Sequence, residues 1–445
     1  MTGRPLHALL LPPADAAGPM LDALAAALDG SGPAILPLDP RLPPARVAAL
    51  LEAFVPAAVQ TPEGAQRWRP ATHRPHPGRG RDGTVPPEVA VVIATSGSTG
   101  EPKGVQLPAA ALLHSARASL DRIGAGPGER WLCPLPVSHV GGLGVLVRSL
   151  VAGTTPVVTQ RLDPGRVDPA RLGCTRVSLV PTQLRRLLTA GVDLAGFGTI
   201  LLGGAAAPAG LLAAARQAGA RVVTTYGMSE TCGGCVYDGV PLAGVAVRTV
   251  AEGVAGSAGS AGRIEICGPV LFAGYRLQPG PPASALAGGW FATSDVGSLD
   301  GTGRLSVHGR ADEMINTGGE KVAPGEVAAE LEGCPGVREA VVIGEPDPEW
   351  GERVTAIVVP ADPGNPPELP ALRAAVTRRM PHYAAPRAMV LVAEVPLLPS
   401  GKPDVAALRT LAAQGTLAAQ GTLAAQRTPA AQSTPAEGRD RVSEG

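Results

Sequence analysis

The apolar positions of this chain fall into short continuous runs separated by alanine-rich stretches of helical period. At the start, HALLLP and PAILPL alternate with LDALAAAL and ARVAALLEAF, the pattern of βα units at the edge of a sheet. Residues 61–86 break the pattern with prolines and arginines and are expected to form an exposed connection. From Val89 the order becomes regular. EVAVVIATSG is an apolar strand entering a glycine loop, and PAAALLHSARASLDRI is a helix. Further strands are expected at WLCPLP, TPVVT, TRVSLVP, TILLGG and RVVTTYG, with helices between them. Continuous apolar strands alternating with helices predict a mainly parallel sheet covered on both faces.

After Gly244 the strands, such as GRIEIC and RLSVHG, are short and spaced by Gly, Pro and Asp, which predicts an antiparallel β subdomain. A second unit is expected from Arg310 onward, with helices in PGEVAAELEG and LPALRAAVTRRM and strands in REAVVIGEP and RVTAIVVP. The predicted fold is therefore α/β. A large N-terminal domain over 1–309 holds mainly parallel, helix-covered sheets and the small β subdomain, and a small mobile C-terminal α+β domain covers 310–409. From Thr410 the unit TLAAQG repeats, too small to bury a core, so 410–445 is expected to be a disordered tail whose removal from 411 leaves activity intact.

Composition narrows the function. The chain has 445 residues and 45% apolar positions, which makes it globular, and its formal charge of zero gives no electrostatic capture of nucleic acid or anionic membrane. The first apolar run is too short for a leader and no run approaches a membrane span, so a cytoplasmic location is expected. Cys232 and Cys235 are the only closely spaced cysteines; without a second pair or a histidine cluster they read as buried thiols.

Of the 38 lysines and arginines only three are lysine, and all three stand in glycine-marked segments: Lys103 in TSGSTGEPKG, Lys321 in INTGGEKVAP and Lys402 in LPSGKPD. Positions that keep lysine in an arginine-rich chain point to phosphate chemistry, where a compact ammonium fits and a planar fork does not. The hydroxyls and glycines of Thr95–Gly104 can surround phosphate oxygens, although the spacing is not that of a P-loop. Four further segments end or open expected strands and helices: Pro136–Leu143, Ser178–Leu188, Leu201–Pro208 and Thr224–Thr231. Taken alone, His139 reads equally as a structural histidine, Arg185 and Arg186 as solvated helix residues, and the Ser-Glu of Thr224–Thr231 as a helix cap.

Together and in this order, these motifs resemble the adenylate-forming superfamily of acyl- and aryl-CoA synthetases, adenylation domains and luciferases, over roughly residues 85–409. The resemblance implies that ATP and AMP lie against Thr95, Ser96, Gly97, Ser98, Thr99, Gly100 and Lys103, against Gly203, Gly204 and Ala205, against Tyr226, Gly227, Met228 and Ser229, and against the ribose pair Asp295 and Arg310. It implies Mg²⁺ on Glu230, catalytic roles for Lys402, Glu230 and Thr231, and a hinge at Asp312. Gly318, Gly319, Glu320 and Lys321 would face CoA in a second half-reaction, with Lys321 the least secure because the family often has a lysine where Asn316 stands. The SLVPTQLRRLL and SHVGGLGVLVRSLVAG segments are similar to the 2-succinylbenzoate–CoA ligases. That similarity implies an acid pocket of His139, Thr182, Gln183, Arg186 and Gly227, with Arg186 countering a second substrate carboxylate. The partners implied are a small carboxylic acid, ATP and CoA, with homodimerisation left open. Another acyl-CoA ligase and an amino-acid adenylation enzyme remain the alternatives; HVGGLGVLV lacks the aspartate that would hold an amine.

Overall fold

The computed structural model describes residues 3–12, 16–69, 83–96, 102–159, 161–251, 254–255, 261–277, 286–398 and 403–414. Four sheets organise them. The first, of eight strands, runs in the order Gly274–Tyr275, Pro102–Pro108, Val89–Ser96, Ala34–Pro37, Arg4–Leu9, Ala58–Thr61, Gly64–Arg67, with Thr84–Val85 paired to Arg4–Leu9. Its centre is parallel, and its Val89–Ser96 and Pro102–Pro108 strands form an antiparallel hairpin. The second, of seven strands, has a parallel run Val222–Met228, Thr199–Leu202, Arg176–Leu179, Trp131–Cys133, Val157–Val158, closed on one side by the antiparallel Gly233–Tyr237.

The helix Ala109–Ile123 explains how the two sheets join. Eight of its fifteen residues are buried, too many for a one-sided helix. Ala111, Leu112 and Ala116 pack with Ile35, Ile93 and Val105 of the first sheet, and Ala118, Leu120 and Ile123 pack with Trp131, Leu201 and Val223 of the second. The helix Val140–Val151 shares this middle layer through Leu143, Leu146 and Val145. On the outer faces, Pro44–Phe54 covers the first sheet with Leu50, Leu51 and Phe54, and Pro181–Thr189 and Ala209–Gln217 cover the second with Leu184, Leu187, Leu211 and Ala215. A six-stranded antiparallel sheet, including Ala246–Ala251, Gly262–Cys267, Trp290–Leu299 and Leu305–Arg310, forms the β subdomain.

The fourth sheet is the core of the C-terminal unit: Glu320–Val322, Ile315–Thr317, Gly351–Pro360 and Val337–Asp347, with Ala388–Leu391 added to Gly351–Pro360. One face packs under the helices Pro324–Glu332 and Leu369–Thr377. The other carries Ile343, Ile357 and Val359, which Leu408 and Ala412 cover.

Two expectations need correction. Within 61–86 the chain is not only a connection: Gly64–Arg67 pairs with Ala58–Thr61, and Thr84–Val85 pairs with the first strand. Residues 70–82 lie outside the described residues. The tail begins later than Thr410, because a helix runs over 405–414 and Ala412 is fully buried. Alanine and leucine spaced four apart suffice to dock that turn of the first repeat unit onto the sheet. Residues 415–445 lie outside the described residues.

Candidate active site

The parallel strands Trp131–Cys133, Arg176–Leu179, Thr199–Leu202 and Val222–Met228 point the same way, so the segments that follow them share one edge of the sheet. Those segments are four of the motifs singled out in the sequence. In open α/β sheets this carboxyl edge is where ligands bind.

At the end of Thr199–Leu202, Gly203 lies close against the next strand: a Cβ there would collide with Thr225 Oγ1 unless that side chain shifted. Gly204 has φ +83°, a left-handed conformation that favours glycine, and Gly204 and Ala205 are exposed. At the end of Val222–Met228 the ladder bulges between Tyr226 and Gly227, and a Cβ on Gly227 would meet the Gly233 carbonyl. The chain then turns through Ser229–Thr231 and Cys232 (φ 54°) back into Gly233–Tyr237. Thr231 is fully buried; its hydroxyl accepts from Met228 N at 2.9 Å and donates to Gly233 O at 2.7 Å. Thr231, expected to be catalytic, staples the turn here. Ser229, half-buried two residues earlier, bonds no side chain among the described residues.

The turn presents Glu230. Its Oε1 accepts from the Tyr275 hydroxyl at 2.8 Å, and among the described residues Oε2 accepts no hydrogen bond. Burial, and then Glu230, push the Tyr275 phenol upward, so it stays a donor. The same ring lies 5.5 Å from Lys103 Nζ. The register explains the meeting. Tyr275 pairs with Val105, and Lys103, two residues away, pairs with Thr95, so all four side chains share one sheet face. Thr95 Oγ1 donates to Lys103 O at 3.3 Å. Thr95, Ser96 and Lys103 thus belong to the hairpin strands, while Gly97, Ser98, Thr99 and Gly100 lie outside the described residues.

Behind the hairpin, Arg276 is buried and donates to Phe54 O at 2.6 Å, Thr84 O at 2.6 Å and Val55 O at 3.0 Å. Gly104 leaves the space for this, since a Cβ would sit 2.9 Å from the Phe54 ring. Sequence reasoning missed both Tyr275 and Arg276. Their partners lie far along the chain; the one signal was that Tyr275 is among only four tyrosines.

Asp295 and Arg310 are directly opposed in the β subdomain, on one face. The Tyr226 hydroxyl donates to Asp295 Oδ2 at 2.7 Å. Arg310 is held by Asp312, the expected hinge residue, donating through Nε and Nη2 to its carboxylate at 2.8 and 2.7 Å. That pairing raises Arg310 and lowers Asp312 from their ordinary values. The expected CoA-side residues form a hairpin turn, Gly318 (φ +62°) and Gly319 (φ +86°) between Thr317 and the exposed Glu320 and Lys321. Lys402 lies outside the described residues.

The residues expected around the acid are placed as follows. Gln183 is spent on structure: its Oε1 accepts from Val180 N at 3.2 Å and its Nε2 donates to Pro134 O at 3.0 Å, which ties two of the edge loops together. Arg186 is exposed, and Arg185 turns away to donate to Arg338 O at 2.7 Å and Glu332 at 3.0 Å in the C-terminal unit. Thr182 is half-buried, and His139 is exposed at the N-cap of Val140–Val151.

The guanidinium that does face inward is Arg148, on that same helix. It sits 4.5 Å over the Trp131 ring and donates through Nη2 to Ser178 Oγ at 3.0 Å. Its Nε is buried with no partner, and among the described residues no carboxylate pairs with it; burial lowers it from its ordinary value. The side chain runs back toward the helix start, so that a Cβ on Gly144 would lie 3.3 Å from Nη1. Gly141, Gly144 and Arg148 share a helix face; Leu135 Cδ1 lies over Gly141 and the folded-back Arg148 over Gly144, each 3.3 Å from where a Cβ would sit. The readable signal was a lone charge in an otherwise apolar, glycine-rich helix.

Among the described residues no three His, Cys, Asp or Glu side chains form a metal cluster. A single carboxylate oxygen, as on Glu230, fits Mg²⁺ carried in by phosphates, which needs only one or two protein oxygens. Cys232 and Cys235 are buried, and burial pushes the Cys235 thiol up to about 12, as inert core thiols require.

Comparison with known proteins follows the same lines. The profile of AMP-binding enzymes matches residues 23–276, and that of the AMP-binding enzyme C-terminal domain matches 326–402. A relative from Mycobacterium tuberculosis, named "Probable 2-succinylbenzoate--CoA ligase", is 47% identical over 333 residues, 72% of this chain and 84% of its own. The o-succinylbenzoate CoA synthetase of Bacillus subtilis in complex with the acyl-adenylate intermediate OSB-AMP superposes with a TM-score of 0.75 at 28% identity, covering 90% of this chain and 87% of that one. The same enzyme in complex with ATP and magnesium ion gives 0.74 at 27%, covering 90% and 88%. No described helix is long and apolar enough to cross a membrane.

Proposed function

Because the chain belongs to the family of AMP-binding enzymes, we propose that it is an ATP-dependent acid–CoA ligase that converts 2-succinylbenzoate, ATP and CoA to 2-succinylbenzoyl-CoA, AMP and pyrophosphate in menaquinone synthesis. The observation that carries the choice of acid is Arg148: a half-buried guanidinium with a shielded Nε and no described carboxylate, beside Ser178, at the end of a helix face that carries Gly141 and Gly144. 2-Succinylbenzoate has one carboxylate to activate and a second, on the ring, to neutralise. Arg148 and Ser178 supply that second site in place of Arg186, and His139 and Thr182 border the acid.

In this reading the phosphates lie against Lys103, Ser229 and the 96–100 loop, the base against Gly203, Gly204, Ala205 and Tyr226, and the ribose against Asp295. Glu230 would hold Mg²⁺, which when bound would offset phosphate charge. The attacking carboxylate and the α-phosphate are both anionic, so the step needs positive charge at the point of attack, and Lys402 brings it from the C-terminal domain. Pyrophosphate leaves and acyl-AMP remains. The C-terminal domain, 310–414 with the helix to Gln414 included, then turns about Asp312, which frees Arg310 from its carboxylate and brings the Gly318–Lys321 hairpin to the site. The CoA thiol attacks the acyl carbonyl and AMP departs. The use of ATP and CoA as co-substrates supports a cytoplasmic location.

ATP–pyrophosphate exchange against 2-succinylbenzoate, benzoate, a medium-chain fatty acid and a set of amino acids tests the reading. Exchange with 2-succinylbenzoate well above the rest is expected; exchange only with an amino acid would exclude it.

A further inference from the structure

Lys103 and Glu230 carry opposite charges and reach the same site from different sheets. Left in contact they would pair, and the pair would take the ammonium from the phosphates and the carboxylate from the metal. Among the described residues they do not pair. Tyr275 stands between them, donating its hydroxyl to Glu230 Oε1 at 2.8 Å while its ring lies 5.5 Å from Lys103 Nζ.

We propose that Tyr275 is a positioning residue that keeps the phosphate lysine and the metal carboxylate apart and aims each at its own part of Mg·ATP. The inference rests on the ATP-binding reading given above. The hydroxyl occupies Oε1 and leaves Oε2 for the metal. The ring offers Lys103 a cation–π seat, weak enough to be exchanged for phosphate oxygens. Neither job tolerates a loose tyrosine, and this one is fixed on three sides. Its backbone is in ladder with Val105, its ring meets Phe272 edge-on at 5.0 Å, and its neighbour Arg276 is anchored to three backbone carbonyls of Phe54, Val55 and Thr84. Phenylalanine here would keep the seat and lose the aim; leucine would lose both and let Lys103 fall onto Glu230.

The two roles separate in binding measurements on the full chain. Mn²⁺ affinity in the presence of ATP is read by electron paramagnetic resonance, ATP affinity in EDTA by calorimetry, and fold by the unliganded melting temperature. Y275F is expected to melt within a few degrees of the parent, to bind ATP in EDTA as the parent does, and to need about tenfold more Mn²⁺, the loss of a hydrogen bond to a charged group. Y275L is expected to lose Mn²⁺ affinity to at least the same degree and also to weaken metal-free ATP binding. Should Y275L fail to fold, Y275F alone carries the test. A Y275F protein that binds Mn²⁺ like the parent, or that loses metal and metal-free ATP affinity equally, overturns the assignment. A parent that binds no Mn²⁺·ATP overturns it together with the ATP-binding reading, and so is told apart from failure of the Tyr275 role alone.

Discussion

Replacing Arg148 by methionine removes the inward-facing guanidinium of the Gly141 and Gly144 helix face while keeping an unbranched side chain of similar reach. Truncating one partner of a buried, hydrogen-bonded charge pair costs about 2–5 kcal/mol. Ser178 still bonds the ring carboxylate in the variant, so the lower half of that range applies. At about 1.4 kcal/mol per decade, kcat/KM for 2-succinylbenzoate should fall about 30- to 300-fold. The free protein should not suffer. Nε of Arg148 is buried without a partner and no described carboxylate balances the charge, so an apolar replacement is neutral or stabilising. The control is 4-oxo-4-phenylbutanoate, the same acid without its ring carboxylate. It has nothing to offer Arg148, and its adenylation should be unchanged or improved. ATP–pyrophosphate exchange with both acids, beside a thermal melt, reads all three quantities. Equal losses with the two acids would mean that Arg148 supports the fold of that helix, and no loss with either would mean that the ring carboxylate binds elsewhere.

Three further outcomes follow from single contacts. Arg276→Ala should lower stability by about 3–5 kcal/mol, because it strands three backbone carbonyls under the phosphate hairpin; a melting temperature within a degree or two of the parent would contradict this. His308 lies 2.6 Å from Glu326, across the junction between the β subdomain and the C-terminal helix, and Glu326 raises it above its ordinary value. Its contribution is therefore full below about pH 6 and fades as pH rises through the raised value, so H308A should melt below the parent at pH 5.5 and with it at pH 8.5. The difference stays under about 1 kcal/mol because solvent screens both groups, and an opposite pH trend would refute the pairing. A chain ending at Arg409 uncovers Ile343, Ile357 and Val359 by removing Ala412 and half its helix, and should melt lower than one ending at Gln414, which should match the full chain; equal melting of both truncations would contradict that boundary.

Local pattern made much of this legible. The parallel strands, the helix between the sheets and the glycines at strand ends are written in runs of neighbouring residues, and so were the strand-end motifs that the fold gathers on one edge. What the sequence concealed depends on long-range pairing. Tyr275 matters because it meets Glu230 and Lys103, and Arg276 because it meets Phe54 and Thr84, contacts that no local window contains. The structural bonds of Thr231 and Gln183 were hidden for a related reason. A polar side chain in a functional motif can serve a substrate or the backbone, and only the closed turn shows the backbone bonds these two make. The helical period of PTQLRRLL, with Leu184 and Leu187 buried, turns Arg186 to solvent, whereas the glycines of VGGLGVLV let the half-buried Arg148 fold back, which is why the proposal moves from Arg186 to Arg148.

The central claim is ligation of a dicarboxylic aryl acid to CoA. It is tested most directly by following AMP and thioester formation with purified protein, ATP, Mg²⁺ and CoA, with 2-succinylbenzoate set against benzoate and a medium-chain fatty acid. The account predicts stoichiometric AMP and 2-succinylbenzoyl-CoA, with kcat/KM at least about thirtyfold above either monocarboxylate by the charge-pair argument for Arg148. Equal or faster turnover of a monocarboxylate would contradict it.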